Sequence, residues 1–284
     1  MRGKLCLITG ATAGIGEVAA VELSRQGADV VFVARNESRA KSTLAKLEAV
    51  ASGNHCSYLL ADLSSRKQTL RLADEFKTKH ARLDVLINNA GAIFFNDRKS
   101  CDDIEMTWAL NHFGYFWLTL ELLDMLKASA PSRIINVSSA AHLRARMDGP
   151  NLVDERNSFC YFTYGNTKLA NVLFTVKLAT MLEGTGVTVN ALHPGVVATN
   201  FGANNGMAGQ LFNMVTGLFS ITSEEGAKTI IYLATSPDVA SITGKYFVEE
   251  KEARTSRLSH DEGIAARLWE ISEKITAETD TKIK

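Results

Sequence analysis

Short uninterrupted apolar runs alternate with longer stretches whose apolar positions recur at helical spacing along most of the chain. Residues 4–9 (KLCLIT) form the first run. Residues 29–34, 56–61, 83–88, 133–138 (RIINVS) and 187–193 repeat it, with a short last run at 245–248. Apolar residues at successive rather than alternate positions suit strands covered on both faces. The intervening stretches predict a helix from the loop at 10–16 to Gln26, where Gly27 offers a C-cap, and further helices over 37–51, 66–79, 103–128, 162–182 and 224–234. About seven strands alternating with helices predict an α/β fold, a single doubly wound parallel sheet with helices on both faces. No repeat, low-complexity segment or linker interrupts the pattern, so residues 1–284 read as one domain with a helical extension near 260–278.

Composition adds exclusions. The 284 residues are 46% hydrophobic and 22% charged, enough for one large core close to the upper limit of a single domain. The 31 basic and 31 acidic residues cancel, which removes any general electrostatic pull towards nucleic acid or an acidic membrane. Cys6, Cys56, Cys101 and Cys160 are scattered, with no C-x-x-C pair and no histidine at ligand spacing, so idle thiols in a reducing compartment are expected and no metal site. Met1, Arg2 and Lys4 lead straight into the first strand, and no apolar run reaches the ~18 residues of a membrane span. A cytoplasmic protein without a transmembrane segment is the expectation.

Candidate chemistry gathers at the carboxyl ends of the predicted strands, where parallel α/β sheets bind ligands. Gly10, Gly14 and Gly16, with Thr12 and Ile15 between and beside them, form a strand-to-helix loop on which a dinucleotide pyrophosphate can rest. Their spacing departs from G-x-G-x-x-G. The second strand ends at Ala34-Arg35-Asn36 without the acid that would bind a ribose 2′-hydroxyl. Arg35 can instead offer its planar fork to a 2′-phosphate, with Arg39 adding charge, so NADP(H) is the expected cofactor. Asp62, followed by Leu63, either caps the next helix or accepts from an adenine amine. Asn89-Ala90-Gly91 makes either a plain turn or a floor for the adenine ribose. Ser138 ends the fifth strand, where its hydroxyl can meet a substrate oxygen, and Ser139 is an equal candidate on composition. Asn111 lies in the predicted 103–128 helix among apolar neighbours, where an amide needs partners.

Tyr164 and Lys168 stand four residues apart, neighbours on one helix face at roughly 5–6 Å between Cβ atoms. A fixed ammonium beside a phenol lowers its pKa from ~10 towards a useful range. The pair can then give or take a proton at an alcohol or a carbonyl. The same spacing also occurs in helices that carry no chemistry. Pro194 and Gly195 after the sixth strand can shape a wall for a nicotinamide ring, and Val197 and Thr199 follow, with Thr199 placed to bind its carboxamide. His112, His142 and His193 have no mutual ligand spacing and read as structural. Residues 202–222, apolar and glycine-punctuated, suit a substrate lid near 200–222, a dimer contact or a membrane-surface element, and their apolar side chains suggest a lipophilic substrate.

In order along the chain, Thr9-Gly10-x-x-x-Gly14-Ile15-Gly16, Asn88-Asn89-Ala90-Gly91, Asn111, Ser138, Tyr164-x-x-x-Lys168 and Pro194-Gly195 resemble the short-chain dehydrogenase/reductases over about residues 3 to 250. The runs Tyr164-Gly165-Asn166-Thr167-Lys168-Leu169-Ala170-Asn171 and Leu192-His193-Pro194-Gly195-Val196-Val197-x-Thr199 are similar to the retinol dehydrogenase-like branch. So are Gly244-Lys245-Tyr246-Phe247 and Leu268-Trp269-Glu270-Ile271-Ser272. The resemblance implies a Rossmann-type catalytic domain. Tyr164 would be its general acid in reduction and base in oxidation. Lys168 would lower the Tyr164 pKa and bind the nicotinamide ribose. Ser138 would hold the substrate oxygen, and Asn111 would support a water chain to solvent. Many members of that branch carry an N-terminal membrane anchor, whereas this chain starts at its first strand, which puts retinoid specificity in question. The implied activity is an NADP(H)-dependent interconversion of an alcohol and a carbonyl on a lipophilic small molecule. A carbonyl reductase for a steroid, terpenoid or polyketide ketone is one rival, and a non-catalytic NADP(H)-binding sensor or scaffold is another. The family's habits also allow a homodimer or homotetramer.

Overall fold

Strand β1 (Leu5–Thr9) is buried at every position, as an unbroken apolar run requires when helices cover both faces of a sheet. The computed structural model describes residues 1–147, 152–153, 160–195, 205 and 221–283. After β1 come α1 (Gly14–Arg25), β2 (Asp29–Ala34), α2 (Glu37–Glu48), β3 (Cys56–Leu60), α3 (Arg66–Lys79) and β4 (Val85–Asn88). Beyond β4 lie α4 (Met106–Trp108), a π-helical turn (Ala109–Phe113), α5 (Gly114–Glu121), α6 (Leu123–Ala128) and β5 (Ser132–Val137). A 3₁₀ turn (Ala140–Arg144) leads towards α7 (Cys160–Met181), then β6 (Val187–His193), α8 (Ser223–Thr235), β7 (Tyr246–Val248), β8 (Lys251–Glu252) and α9 (Glu262–Ile283).

The strands form one sheet in the order β3-β2-β1-β4-β5-β6-β7-β8. Pairing is parallel from β3 through β7, and β8 alone runs antiparallel, on the edge. The doubly wound Rossmann-type sheet expected from the apolar runs is therefore present, with eight strands among the described residues rather than about seven. Strand β8 escapes the pattern because it is two exposed charged residues. Its hairpin turn, Glu249 and Glu250, takes positive φ of 50° and 63° without the Asn or Gly that usually signals such a turn.

Two apolar layers flank the sheet. On one face, α3, α5, α7 and α9 pack through Leu72, Phe76, Phe116, Leu169 and Leu268. On the other, α1, α2 and α8 pack through Ala19, Leu23, Leu47, Ile230 and Leu233. Helix α9, expected near 260–278, extends to Ile283 and lies against α5 and α7. Its Trp269 stacks on Phe174 with ring centroids 6.0 Å apart, and its Thr276 hydroxyl accepts from the Trp117 indole N–H at 2.8 Å.

The single helix expected over 103–128 is broken. Glu105 caps its start by accepting from the Trp108 N–H, a π-helical turn holds Asn111, and Leu122 separates α5 from α6. Such a turn inserts one residue into the helical ladder and recurs at functional sites. The order of strands also locates the crevice. The chain winds outward from β1 to β3 and returns to β4 on the opposite flank of β1, so the carboxyl ends of β1 and β4 lie side by side at the switch point.

Candidate active site

The glycine loop is built against β4. A Cβ at Gly10, whose φ is +69°, would lie 2.7 Å from the Ala90 Cα, and one at Gly16 would lie 2.3 Å from the Asn89 Nδ2. Asn89 closes this approach by donating from Nδ2 to the carbonyls of Thr9 and Gly10 at 2.9 and 3.1 Å. The Thr9 hydroxyl accepts from the backbone N–H groups of Asn89 and Ala90 at 2.9 and 3.0 Å. Asn89 thus clamps the loop through its side chain, and Ala90 and Gly91 stay at the crevice. Helix α1 opens from Ala13 without a side-chain cap, whereas α2, α3 and α8 are capped by Asn36, Ser65 and Thr222. Its first N–H groups, including those of Gly14, Ile15 and Gly16 beside Thr12, are left for an anion.

The neighbouring candidates divide. Arg35 is exposed and makes no hydrogen bond or ion pair among the described residues. Asn36 accepts from the Arg39 N–H at 2.9 Å as the cap of α2, which occupies its side chain locally. Asp62 is not the cap of α3. Its Oδ1 accepts from the Ser64 N–H and hydroxyl at 3.0 and 2.7 Å, while Ser65 caps the helix. The Leu63 side chain belongs to the core, which leaves only its backbone for a ligand. Pro194 and Gly195 follow β6 at the same edge. Val197, Thr199 and most of the expected 200–222 lid lie outside the described residues.

Tyr164 and Lys168 share a face of α7. Lys168 is buried at 2% exposure, and its Nζ donates to the Val137 carbonyl at 3.0 Å. That Nζ lies 5.6 Å from the centroid of the Tyr164 ring and 5.7 Å from that of Tyr115. A Cβ added to Gly91 would meet Lys168 Nζ at 3.4 Å and Asn111 Oδ1 at 3.3 Å, so the β4 loop reaches this cluster. Burial lowers the Lys168 pKa to about 7. The expected lowering at Tyr164 is not present. Burial holds its phenol above the ordinary value, and a hydrogen bond from Ser139 opposes that only in part. The physical reason is that burial also weakens the Lys168 cation that would stabilise a phenolate.

Two further candidates, Ser138 and Asn111, make their side-chain hydrogen bonds inside the protein. The Ser138 hydroxyl donates to the Lys168 carbonyl at 2.7 Å, bracing β5 against α7, and it is buried at 2% exposure. The hydroxyl bonded to Tyr164 is that of Ser139. Ser139 Oγ also accepts from the Ala141 N–H at 3.2 Å as the cap of the 3₁₀ turn. Gly165 lets this turn approach α7, because a Cβ there would sit 3.0 Å from the Ala141 carbonyl oxygen. Asn111 spends both amide hydrogens inside the protein, on the Ala92 carbonyl at 2.9 Å and the Thr167 hydroxyl at 3.2 Å. Its Oδ1 accepts from the Ala92 N–H at 2.9 Å. Its side-chain amide therefore links the β4 loop, the π turn and α7, and cannot itself donate to a water chain.

Thr9 and Gly165 stand in the sequence motifs without an assigned role, and the structure gives each one. Thr9 had its place at a strand end as a signal, and Gly165 its position beside Tyr164. Chemically, the site presents two converging hydroxyls, a nearby titrating amine and an open helix N-terminus across the crevice.

Comparison with known proteins agrees with this geometry. The family model described as short chain dehydrogenase matches residues 4–208. Retinol dehydrogenase 14 of Mus musculus is 42% identical over 286 residues, covering 96% of this chain and 86% of that protein. Retinol dehydrogenase 12 of Mus musculus is 37% identical over 270 residues, covering 95% and 85%. Among solved structures, an uncharacterized protein from Mycobacterium Paratuberculosis superposes with a TM-score of 0.77 at 28% identity, covering 97% of this chain and 94% of that one. The Pseudomonas aeruginosa RhlG/NADP active-site complex superposes with a TM-score of 0.70 at 29% identity, covering 87% and 94%. No helix among the described residues is long and apolar enough to cross a membrane.

Proposed function

The chain belongs to the short-chain dehydrogenase/reductase family and is retinol dehydrogenase-like, and from that premise we propose that it interconverts an alcohol and a carbonyl on a lipophilic small molecule with NADP(H). The observation that carries this reading is the hydrogen bond between the Tyr164 and Ser139 hydroxyls beside the buried Lys168. The two hydroxyls lie within hydrogen-bond reach of each other, and once Ser139 turns its hydrogen from the phenol to an entering carbonyl oxygen, both can donate to that oxygen and stabilise the negative charge that develops on it.

NADP(H) supplies or accepts the hydride. The residues that fit it are the Gly10, Gly14 and Gly16 loop with the uncapped N-terminus of α1 for the pyrophosphate, and Arg35 for a 2′-phosphate. Asp62 retains an oxygen for the adenine side, and Lys168 stands on the nicotinamide side. In the reductive direction Tyr164 gives its hydroxyl proton to the carbonyl oxygen as that oxygen becomes an alcohol, and in oxidation it takes that proton back. Ser139 orients the same oxygen. Lys168, brought near neutrality by burial, can hold or release a proton close to the phenol at ordinary pH.

The relatives named retinol dehydrogenase support a lipophilic alcohol or aldehyde, and the RhlG/NADP complex supports the choice of dinucleotide. A steroid, terpenoid or polyketide ketone would use the same donors. The test is a panel of these carbonyls with NADPH and NADH, read by loss of reduced-nicotinamide absorbance. Turnover of a lipophilic aldehyde or ketone with preference for NADPH is expected; cofactor binding without turnover of any member would sink the proposal. A cytoplasmic location belongs to the same reading, and sedimentation of the expressed protein with washed membranes would contradict it.

A further inference from the structure

His142 lies three residues after Ser139 in the 3₁₀ turn and is buried at 1% exposure. Its Nδ1 is 2.7 Å from the Ser139 carbonyl oxygen, and its Nε2 is 3.3 Å from the backbone nitrogen of Ser256. A backbone N–H can only donate, so Nε2 must accept. The ring proton therefore sits on Nδ1 and is donated to the Ser139 carbonyl. Acceptance at Nε2 requires the neutral ring, and burial keeps the imidazole pKa below its usual value. One edge of the ring also meets Tyr246 of β7, with centroids 4.8 Å apart at 60°. His142 thus ties the backbone of Ser139 to β7 and to a loop more than a hundred positions along the chain.

The Ser139 carbonyl receives two donors, the His142 ring and the His142 backbone N–H at 3.1 Å. They fix the peptide plane that carries the residue, while the Ser139 hydroxyl faces Tyr164. Rotation of that plane would swing the hydroxyl off the phenol. The two His142 ring nitrogens go to backbone atoms of Ser139 and Ser256 rather than to the phenol or the amine. The first of these contacts ends on the backbone of the residue that does touch Tyr164.

We propose that His142 is a positioning residue for the reaction, acting through Ser139 by holding its carbonyl and hence aiming its hydroxyl at Tyr164. This rests on the oxidoreductase reading above. His142→Phe keeps the ring contact with Tyr246 and removes both polar contacts. His142→Gln retains one N–H donor and one oxygen acceptor on a side chain of similar reach. Activity is measured with NADPH and all-trans-retinal, or with decanal where that turns over faster, alongside NADPH affinity by fluorescence.

His142→Phe is expected to lower kcat by roughly 10–100-fold, the scale of a misaimed catalytic group. NADPH affinity should stay within about two-fold, since uniform binding is untouched. His142→Gln should recover most of the lost kcat. In a Ser139→Ala background, His142→Phe should cost less than about two-fold, because a residue that acts through Ser139 has nothing left to aim. An equal loss in both backgrounds, or an unchanged kcat in His142→Phe, overturns the role. Should the Phe variant fail to fold, a folded His142→Gln with kcat as low as Ser139→Ala overturns it as well. Nitrogen NMR of the wild-type protein gives a signature independent of turnover, and an Nε2-protonated His142 would overturn the assignment. Full turnover by Tyr164→Phe, by contrast, sinks the catalytic reading itself and is read separately.

Discussion

The Ser138 hydroxyl donates to the carbonyl oxygen of Lys168 at 2.7 Å, which turns the first serine after β5 inward and leaves its neighbour to face Tyr164. The two serines should therefore fail differently. Ser138→Ala should cost about 1 kcal/mol of stability through a lost buried hydrogen bond and only a small part of kcat. Ser139→Ala should leave stability nearly unchanged and lower kcat by roughly 10²–10³-fold, the effect of removing one donor to a developing oxyanion. Urea denaturation and steady-state kinetics on both variants separate the roles, and the opposite pattern would return the substrate contact to Ser138.

Asn111 carries a structural load. Its amide satisfies both backbone groups of Ala92 and reaches the Thr167 hydroxyl. Asn111→Ala leaves these buried partners unpaired, so a loss of about 1–3 kcal/mol is expected by urea denaturation. Stability equal to wild type would show that the cross-link between the β4 loop, π turn and α7 is dispensable.

Lys168 predicts a pH signature. Its folded pKa is lowered to about 7 from 10.5, so between these values the unfolded chain binds the proton that the folded chain lacks. Stability contributed at this site is lowest below pH 7 and rises as pH increases through the window. Lys168→Met should flatten that rise in unfolding free energy measured at pH 7 and at pH 10. A variant whose pH dependence matches wild type would contradict burial as the cause.

Arg35 tests the cofactor assignment. It is exposed and without a partner among the described residues, so its substitution should leave the fold alone. Arg35→Asp is expected to weaken NADPH binding by roughly 1.5–3 kcal/mol, the worth of a charge-assisted contact, and to leave NADH nearly unaffected. An unchanged preference in fluorescence titrations would assign the discrimination to another residue.

Most of the architecture was legible because a parallel sheet covered on both faces demands unbroken apolar runs, and these stand out in β1, β2 and β6. The charged pair that forms β8 carries no such signal, and the long helix expected over 103–128 hid the π turn because that turn does not change its apolar pattern. The site was legible in its residue types more than in their directions. Adjacent residues leaving a strand point to opposite sides, so Ser138 and Ser139 exchange roles with a rotation that composition cannot report. Likewise, the Tyr164 and Lys168 spacing revealed proximity, whereas the direction of each pKa depended on burial that only packing determines.

The central claim is that Tyr164 transfers the proton in an alcohol–carbonyl interconversion. Tyr164→Phe removes one oxygen and leaves the ring, so the most direct measurement pairs NADPH titration with turnover of the best lipophilic aldehyde for this variant. The account predicts NADPH affinity close to wild type and kcat reduced by roughly 10²–10⁴-fold, the usual share of a general acid. Wild-type turnover in Tyr164→Phe would contradict it.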